Sequence, residues 1–335
     1  MKKSVLFFVV SVLVIGSMLL GACAKAEPTV VETPVPTEAA PTYVTCGTTD
    51  NPCVITFVPS GDTGKITTAG QGIADWLNTE TGLSFQIEVG TSFAASIEAM
   101  GAEKAHIGFL NTFSVLLAES KYDVQPALAV VRKLAVNDIS PDQDLAGTMQ
   151  PYYRGQFIAK ADSGITELAD LEGKTFCFVD PNSTSGYIVP NIVLKAAGID
   201  ADAGDITVTN AGSHNNVAIA VYNGDCDAGV TYINVMTDES ADLAATYPDI
   251  ATAVVPFYDT LAIPNDGVQF IKNFDPALQA TIVEAMLKMA SDEAGAQLLK
   301  DLYNINGLVA IDATFYDEFA QTLADAGVDP ASLVK

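Results

Sequence analysis

The chain has 335 residues, with 16 basic against 41 acidic side chains, a formal net charge of −25 and 49% hydrophobic residues. Such one-sided acidity argues against a nucleic-acid partner, because a phosphate backbone demands basic patches. It points instead to a domain kept soluble by its own charge, and it means that an anionic ligand must be held by local groups against the general field.

The chain opens on Lys2 and Lys3, followed by an apolar run over 5–20 and then Leu20-Gly21-Ala22-Cys23. A charged start, a short apolar core and small residues before a cysteine read as an export signal. The run is shorter than the ~20 apolar residues of a membrane span. Its ending resembles the lipobox of bacterial lipoproteins. That resemblance implies cleavage before Cys23, lipidation of Cys23 and tethering outside the cytoplasmic membrane. An uncleaved anchor helix is the alternative, and it leaves the globular part on the same side. Residues 24–45 carry Pro28, Pro34, Pro36 and Pro41 and no recurrent apolar face. Such a segment cannot offset its ordering entropy and reads as a semi-extended spacer. We assign 1–22 to the signal and 23–51 to a lipidated tether. Beyond it, roughly 280 residues suffice for two lobes.

Cys46 and Cys53 enclose Gly47-Thr48-Thr49-Asp50-Asn51-Pro52, a turn-rich loop. In an oxidising compartment a disulfide is expected, since a metal site would need third and fourth ligands nearby. Cys177 inside an apolar strand and Cys226 just before another read as buried free thiols, with a bridge between them as the alternative.

From residue 54 short apolar runs alternate with amphipathic stretches. Strands are predicted at 54–58, 84–89, 106–110 and 127–131, with helices at 67–78, 93–104 and 112–120 between them. This βαβ pattern implies a parallel sheet covered on both faces. After an irregular stretch over 137–154 a second set begins. Its predicted strands are 157–159, 175–179, 206–208 and 228–231. Its predicted helices are 168–171, 187–197 and 215–222. After Ile263-Pro264 the pattern becomes helical, at 276–291, 292–302 and 313–326. The expected fold is α/β with two lobes, each a mainly parallel sheet flanked by helices. Lobe I would comprise 52–154 and 258–335, and lobe II 155–257, with crossings near 152–157 and 255–263.

The chemistry concentrates where strands give way to helices. Asp180-Pro181-Asn182-Ser183-Thr184-Ser185-Gly186 follows a strand and opens a helix. An ordinary Ser N-cap accounts for one hydroxyl, whereas three in a row, at a helix end with orphan N–H groups, suit an anion. Gly186 would let the backbone approach a ligand closely. Gly212-Ser213-His214-Asn215 repeats the arrangement, with Ser213 and His214 as donors. Gly90-Thr91-Ser92 and Asn111-Thr112 do so in the first lobe, and Pro59-Ser60-Gly61-Asp62-Thr63-Gly64-Lys65 follows the first strand. Pro59 and Ile66 break the phosphate-loop nucleotide motif there. Ligands of open α/β sheets lie outside the carboxyl ends of strands, so two facing lobes would gather all five loops in one cleft. No basic residue except Lys65 is read at these loops, so the site is expected to consist of neutral dipoles. There is no nucleophile elbow, no metal-spaced His pair and no Cys-x-x-Cys. No catalytic residue, metal or cofactor is assigned.

Residues 162–230 resemble the phosphonate-, phosphite- and phosphate-binding proteins of ATP-driven uptake systems. The matching phrases are Asp162-Ser163-Gly164-Ile165, Leu168-Ala169-Asp170-Leu171-Glu172-Gly173-Lys174, Asp180 to Gly186, Gly212-Ser213-His214, Gly224-Asp225-Cys226-Asp227-Ala228-Gly229 and Ile263-Pro264-Asn265-Asp266. Weaker likeness extends over most of 54–310. The resemblance implies a type II periplasmic-binding-protein fold. It implies a small phosphorus oxyanion held by Ser183, Thr184, Ser185 and His214, with Ser92, Asn111 and Thr112 closing over it. It also implies delivery, as a monomer, to the permease of an ABC transporter. Phe93 stands where relatives tend to have tyrosine. No acid is evident just after the strand ending near Val230, which puts an aminoalkyl ligand in doubt. Asp266 is the remaining candidate acid and favours a ligand with a proton to donate. An enzyme such as a small-molecule transferase on the same fold, or a sulfonate binder, is the alternative.

Overall fold

Buried apolar residues every third or fourth position and well-made caps set the helices of the first lobe. The computed structural model describes residues 42–328; the export signal, Cys23 and the spacer up to Pro41 lie outside the described residues. β1 (Cys53–Phe57), α1 (Thr63–Thr81), β2 (Phe85–Val89), α2 (Phe93–Gly101), β3 (Ile107–Leu110), α3 (Thr112–Tyr122) and β4 (Gln125–Lys133) alternate as predicted. In α1, Ile66, Ala69, Ile73 and Leu77 face the core, Asp62 accepts from Lys65 N, and Gly82 closes the helix in the left-handed region at φ 70°.

β5 (Met149–Gln150) pairs back onto β4 and still belongs to the first sheet; the second lobe then holds β6 (Tyr152–Lys160), β7 (Thr175–Phe178), α4 (Val189–Ala196), β8 (Thr207–Asn210), α5 (His214–Asn223), β9 (Ala228–Tyr232), the short α6 (Ile250–Ala253) and β10 (Val254–Pro264). The chain returns through β11 (Gly267–Phe270), α7 (Pro276–Ser291), α8 (Glu293–Tyr303), β12 (Gly307–Ala310) and α9 (Asp317–Asp325). Asp275 and Pro276 start α7 as an N-cap and an N1 proline should.

Two sheets result, in the orders β12-β4-β11-β3-β1-β2 and β10-β6-β9-β7-β8. β1 pairs in parallel with β2 and β3, and β7 with β8 and β9. The other pairings are antiparallel. The sheets are thus mixed rather than mainly parallel, because β11 and β12 run against the strands they pair with in the first sheet and β6 runs against β9 in the second. The two crossing segments lie side by side as β6 and β10, paired from Val254↔Lys160 to Pro264↔Tyr152. The return to the first sheet therefore begins at Asn265, not at 258. Nor is the region after Pro264 purely helical, since β11 and β12 complete the first sheet.

Two cysteine readings bear on the frame. Cys46 and Cys53 form a disulfide, Cα–Cα 4.9 Å. Cys177 and Cys226 form a second, Cα–Cα 5.9 Å, and are not free thiols. β7 and β9 are parallel neighbours, so the loop entering β9 brings Cys226 to Cys177. The spacer also ends earlier than 51. Val44 N donates to Asn273 O at 2.8 Å, and Asp275 N donates to Val44 O at 2.9 Å.

Candidate functional site

The cleft between the lobes contains a cavity of about 130 Å³. Its floor in lobe II is the loop after β7. Asn182 N and Ser183 N fold back onto Asp180, to its Oδ1 and its backbone oxygen, both at 2.8 Å. Thr184–Ile188 then forms a π-helical turn before α4. Pro190 explains the wider turn: it has no N–H for the usual bond to the Gly186 carbonyl, which accepts from Val179 N at 3.0 Å instead.

The turn buries Ser183, Thr184 and Ser185 to 2% exposure or less, and all three line the cavity. Their hydroxyl oxygens already receive donors from the protein. Ser183 Oγ accepts from Gly186 N at 3.2 Å and faces His214 Nε2 at 3.4 Å. Thr184 Oγ1 accepts from Asn111 Nδ2 at 2.8 Å and Phe113 N at 2.9 Å. Ser185 Oγ accepts from Tyr153 Oη at 3.4 Å. A hydroxyl has one proton to give. With acceptor positions occupied by the protein, each proton is left for a group that only accepts, such as an oxyanion.

His214 supplies a further donor. Its Nδ1 accepts from Tyr232 N at 3.1 Å, which assigns the proton of the neutral ring to Nε2, the atom facing Ser183. Burial pushes its pKa down to about 3 despite Asp266, so the ring is neutral at physiological pH. Burial likewise holds the Tyr153 phenol well above its ordinary range, so it keeps its proton.

Arg132, at the end of β4, is the residue the sequence reading missed. The cavity is not lined by neutral dipoles alone. Arg132 grips Asp266 with two parallel bonds of 2.8 Å and donates to Asn265 Oδ1 and Tyr303 O at 3.1 Å. Four of its five N–H groups are thereby used. Burial opposes its charge, but Asp266 outweighs that and the guanidinium stays protonated. Asp266 lines the cavity as expected, but as the partner of Arg132. Asp238 is also in the lining, eight residues beyond the place where an acid was sought. It accepts from Ser240 N and Oγ at 2.8 Å.

Lobe I reaches across at several points. Asn111 does not cap α3 with its side chain but donates to Asn182 O at 2.9 Å as well as to Thr184. Ser60 O accepts from His214 N at 3.0 Å. Lys65 pairs with Asp242 at 2.7 Å and Lys300 with Glu239 at 2.6 Å. Four expected ligand residues are not in the lining. Ser92 caps α2 through Ala95 N, Ser213 caps α5 through Asn216 N, and Thr112 Oγ1 donates to Pro264 O at 2.6 Å. Gly186 is required for packing rather than ligand approach: a Cβ there would meet Val179 Cγ2 at 2.3 Å. Among the described residues no group of His, Cys, Asp and Glu could hold a metal ion.

A family profile described as ABC transporter, phosphonate, periplasmic substrate-binding protein matches residues 55–316. The chain belongs to this family. Among curated proteins, this phosphonate-binding-family chain is 27% identical over 190 residues to the phosphate-import protein PhnD of Mycolicibacterium smegmatis, covering 55% of each chain. It is 29% identical over 146 residues to the phosphonates-binding periplasmic protein of Escherichia coli, covering 42% of each. It thus spans about half the length of the curated relatives it matches. Solved structures agree on the fold. A binding protein component of an ABC phosphonate transporter from Pseudomonas aeruginosa aligns at TM-score 0.70 and 21% identity, over 83% of this chain and 87% of that one. PhnD1 of Prochlorococcus marinus in complex with methylphosphonate aligns at 0.66 and 15%, over 81% and 98%. The chain therefore shares the two-lobe type II binding-protein architecture of these proteins.

Proposed function

We propose that the protein is the extracytoplasmic substrate-binding component of an ABC importer, that it takes a small phosphorus oxyanion between its lobes and that it performs no chemistry on it. The observation that carries this reading is the run Ser183, Thr184 and Ser185. Three buried hydroxyls have their acceptor positions engaged by protein donors and their protons available to one cavity. Hydrogen bonds to a charged group contribute about 1.5–3 kcal/mol each, so a few such donors can offset desolvation of an anion without a free cation. The names of the family's members, and methylphosphonate in the P. marinus structure, support the same ligand class. On this reading Cys23 carries the lipid that holds the protein at the membrane, and the monomer delivers its ligand to permease subunits.

A thermal-shift screen over phosphite, alkylphosphonates, phosphate, sulfate and taurine tests it. Ligand at a hundred times Kd stabilises by about 2.7 kcal/mol, which raises Tm by about 5 °C in a domain of this size. A shift with a phosphorus oxyanion and none with sulfate or taurine is expected. A shift with taurine alone would favour a sulfonate binder.

A further inference from the structure

Two buried acceptors on residues that line the cavity lack a donor from the protein. Asn111 Oδ1 and Asn215 Oδ1 are closed to solvent and without a hydrogen-bond partner, and both residues line the cavity. Asn215 is only 7% exposed. Neither amide can be turned to exchange oxygen for nitrogen. Asn111 Nδ2 is committed to Asn182 O, and Asn215 Nδ2 to Ala241 O at 3.2 Å. Peptide carbonyls only accept, so a flipped amide would set two oxygens against each other.

Each carboxylate of the lining already receives at least one donor from the protein. Asp62 receives Lys65 N, Asp238 receives Ser240, and both oxygens of Asp266 receive Arg132. The lining holds three carboxylates, Asp62, Asp238 and Asp266, and three cations, Lys65, Arg132 and Lys133, of which Arg132 pairs with Asp266 and Lys65 with Asp242 outside it. With its charges balanced, the wall gives no special advantage to a dianion. Its hydroxyls serve the ionised oxygens of a ligand, and its two amide oxygens ask for a proton.

We propose that the cavity selects its ligand as a hydrogen-bond donor, holding a small phosphorus oxyanion in its singly protonated form with the P–OH given to the Asn111 or Asn215 carbonyl. This rests on the function proposed above and names the ionic form recognised. A buried acceptor left unmet costs about one to two powers of ten in an equilibrium. Ligands of equal shape and charge should therefore separate by that factor if only one brings a proton.

Methylphosphonate and methanesulfonate form such a pair at about pH 5, below the second ionisation of phosphate-type groups near about 6. Both are then tetrahedral methyl monoanions, and only the phosphonate has an O–H. Calorimetry on the wild-type protein should show methylphosphonate binding at least about tenfold tighter. In Asn111→Leu or Asn215→Leu, or both, the preference should shrink to about threefold or less. Equal binding of the two ligands by the wild type, or a preference unchanged in both variants, would overturn the inference and leave the functional reading intact. Absence of heat with methylphosphonate, phosphite and phosphate alike would remove both.

Discussion

Thr184 ties the closed lobes together, and replacing it by Val should weaken ligand binding without unfolding the protein. Its Oγ1 accepts from Asn111 Nδ2 at 2.8 Å and from the buried Phe113 N–H at 2.9 Å, both on the opposite lobe. Valine fills the same volume but accepts nothing. With the lobes apart both donors are in water, so the penalty falls on the closing equilibrium. A buried donor left unmet costs about 1–3 kcal/mol. Asn111 Nδ2 keeps a second acceptor in Asn182 O, so the two losses together come to about 2–4 kcal/mol. Apparent affinity scales with the population able to close, so the lost closing contacts alone correspond to about thirtyfold to a thousandfold in Kd, and the lost hydroxyl bond to the anion adds about tenfold to a hundredfold. Thr184→Ser should retain most of the affinity. Calorimetry with the tightest phosphorus oxyanion, alongside urea unfolding, separates the effects. Binding by Thr184→Val within about threefold of wild type, or a stability loss equal to the loss in binding energy, would refute the reasoning.

Three further outcomes follow from the same geometry. His214 resists protonation down to about 3 in the folded state against an ordinary value of 6.5. The unfolded chain therefore takes up the proton first, and stability falls as pH drops through 6.5 toward 3. Urea midpoints between about pH 7 and 4 should show a slope contribution of up to about 1.4 kcal/mol per pH unit, and His214→Gln should flatten it. The Cys177–Cys226 bridge closes a longer loop than Cys46–Cys53, 49 residues of separation against 7. Chain entropy assigns them about 4 and about 2.5 kcal/mol, so removing the first pair should lower Tm more. Asp266→Asn strips the partner from a buried Arg132. Chemical denaturation should show a loss of about 3 kcal/mol, while anion affinity rises because the guanidinium charge is no longer cancelled.

Much of the frame was legible because burial leaves a periodic trace. The βαβ run from β1 to β4 and the helix α7, with its Asp-Pro start, follow from apolar spacing and capping. β11 and β12 did not, since four-residue strands such as Gly267–Phe270 carry no period of their own and are fixed by the strands on either side. β10 is long but bulged and half-exposed, with prolines at 256 and 264, and its alternation is broken. In the site, Ser183, Thr184, Ser185 and His214 were readable as hydroxyls and a donor at helix starts. Ser92 and Ser213 looked the same in sequence, and only tertiary position separates a cap from a cavity wall. Arg132, just past the predicted strand 127–131, was not read at the site. A cation two residues beyond the buried Leu128, Ala129 and Val130, at the carboxyl end where the other loops gather, was the available signal. Its pairing with Asp266 spans 134 positions and leaves no local mark.

The most direct test of the central claim is calorimetry of the purified protein with phosphite and methylphosphonate, repeated on Ser183→Ala and Ser185→Ala. On the proposed function each serine would give its one free proton to the anion, so each variant should keep its fold and one binding site per chain while losing about tenfold to a hundredfold in affinity. Binding of either oxyanion with undiminished affinity by both variants would place the anion elsewhere and contradict the account.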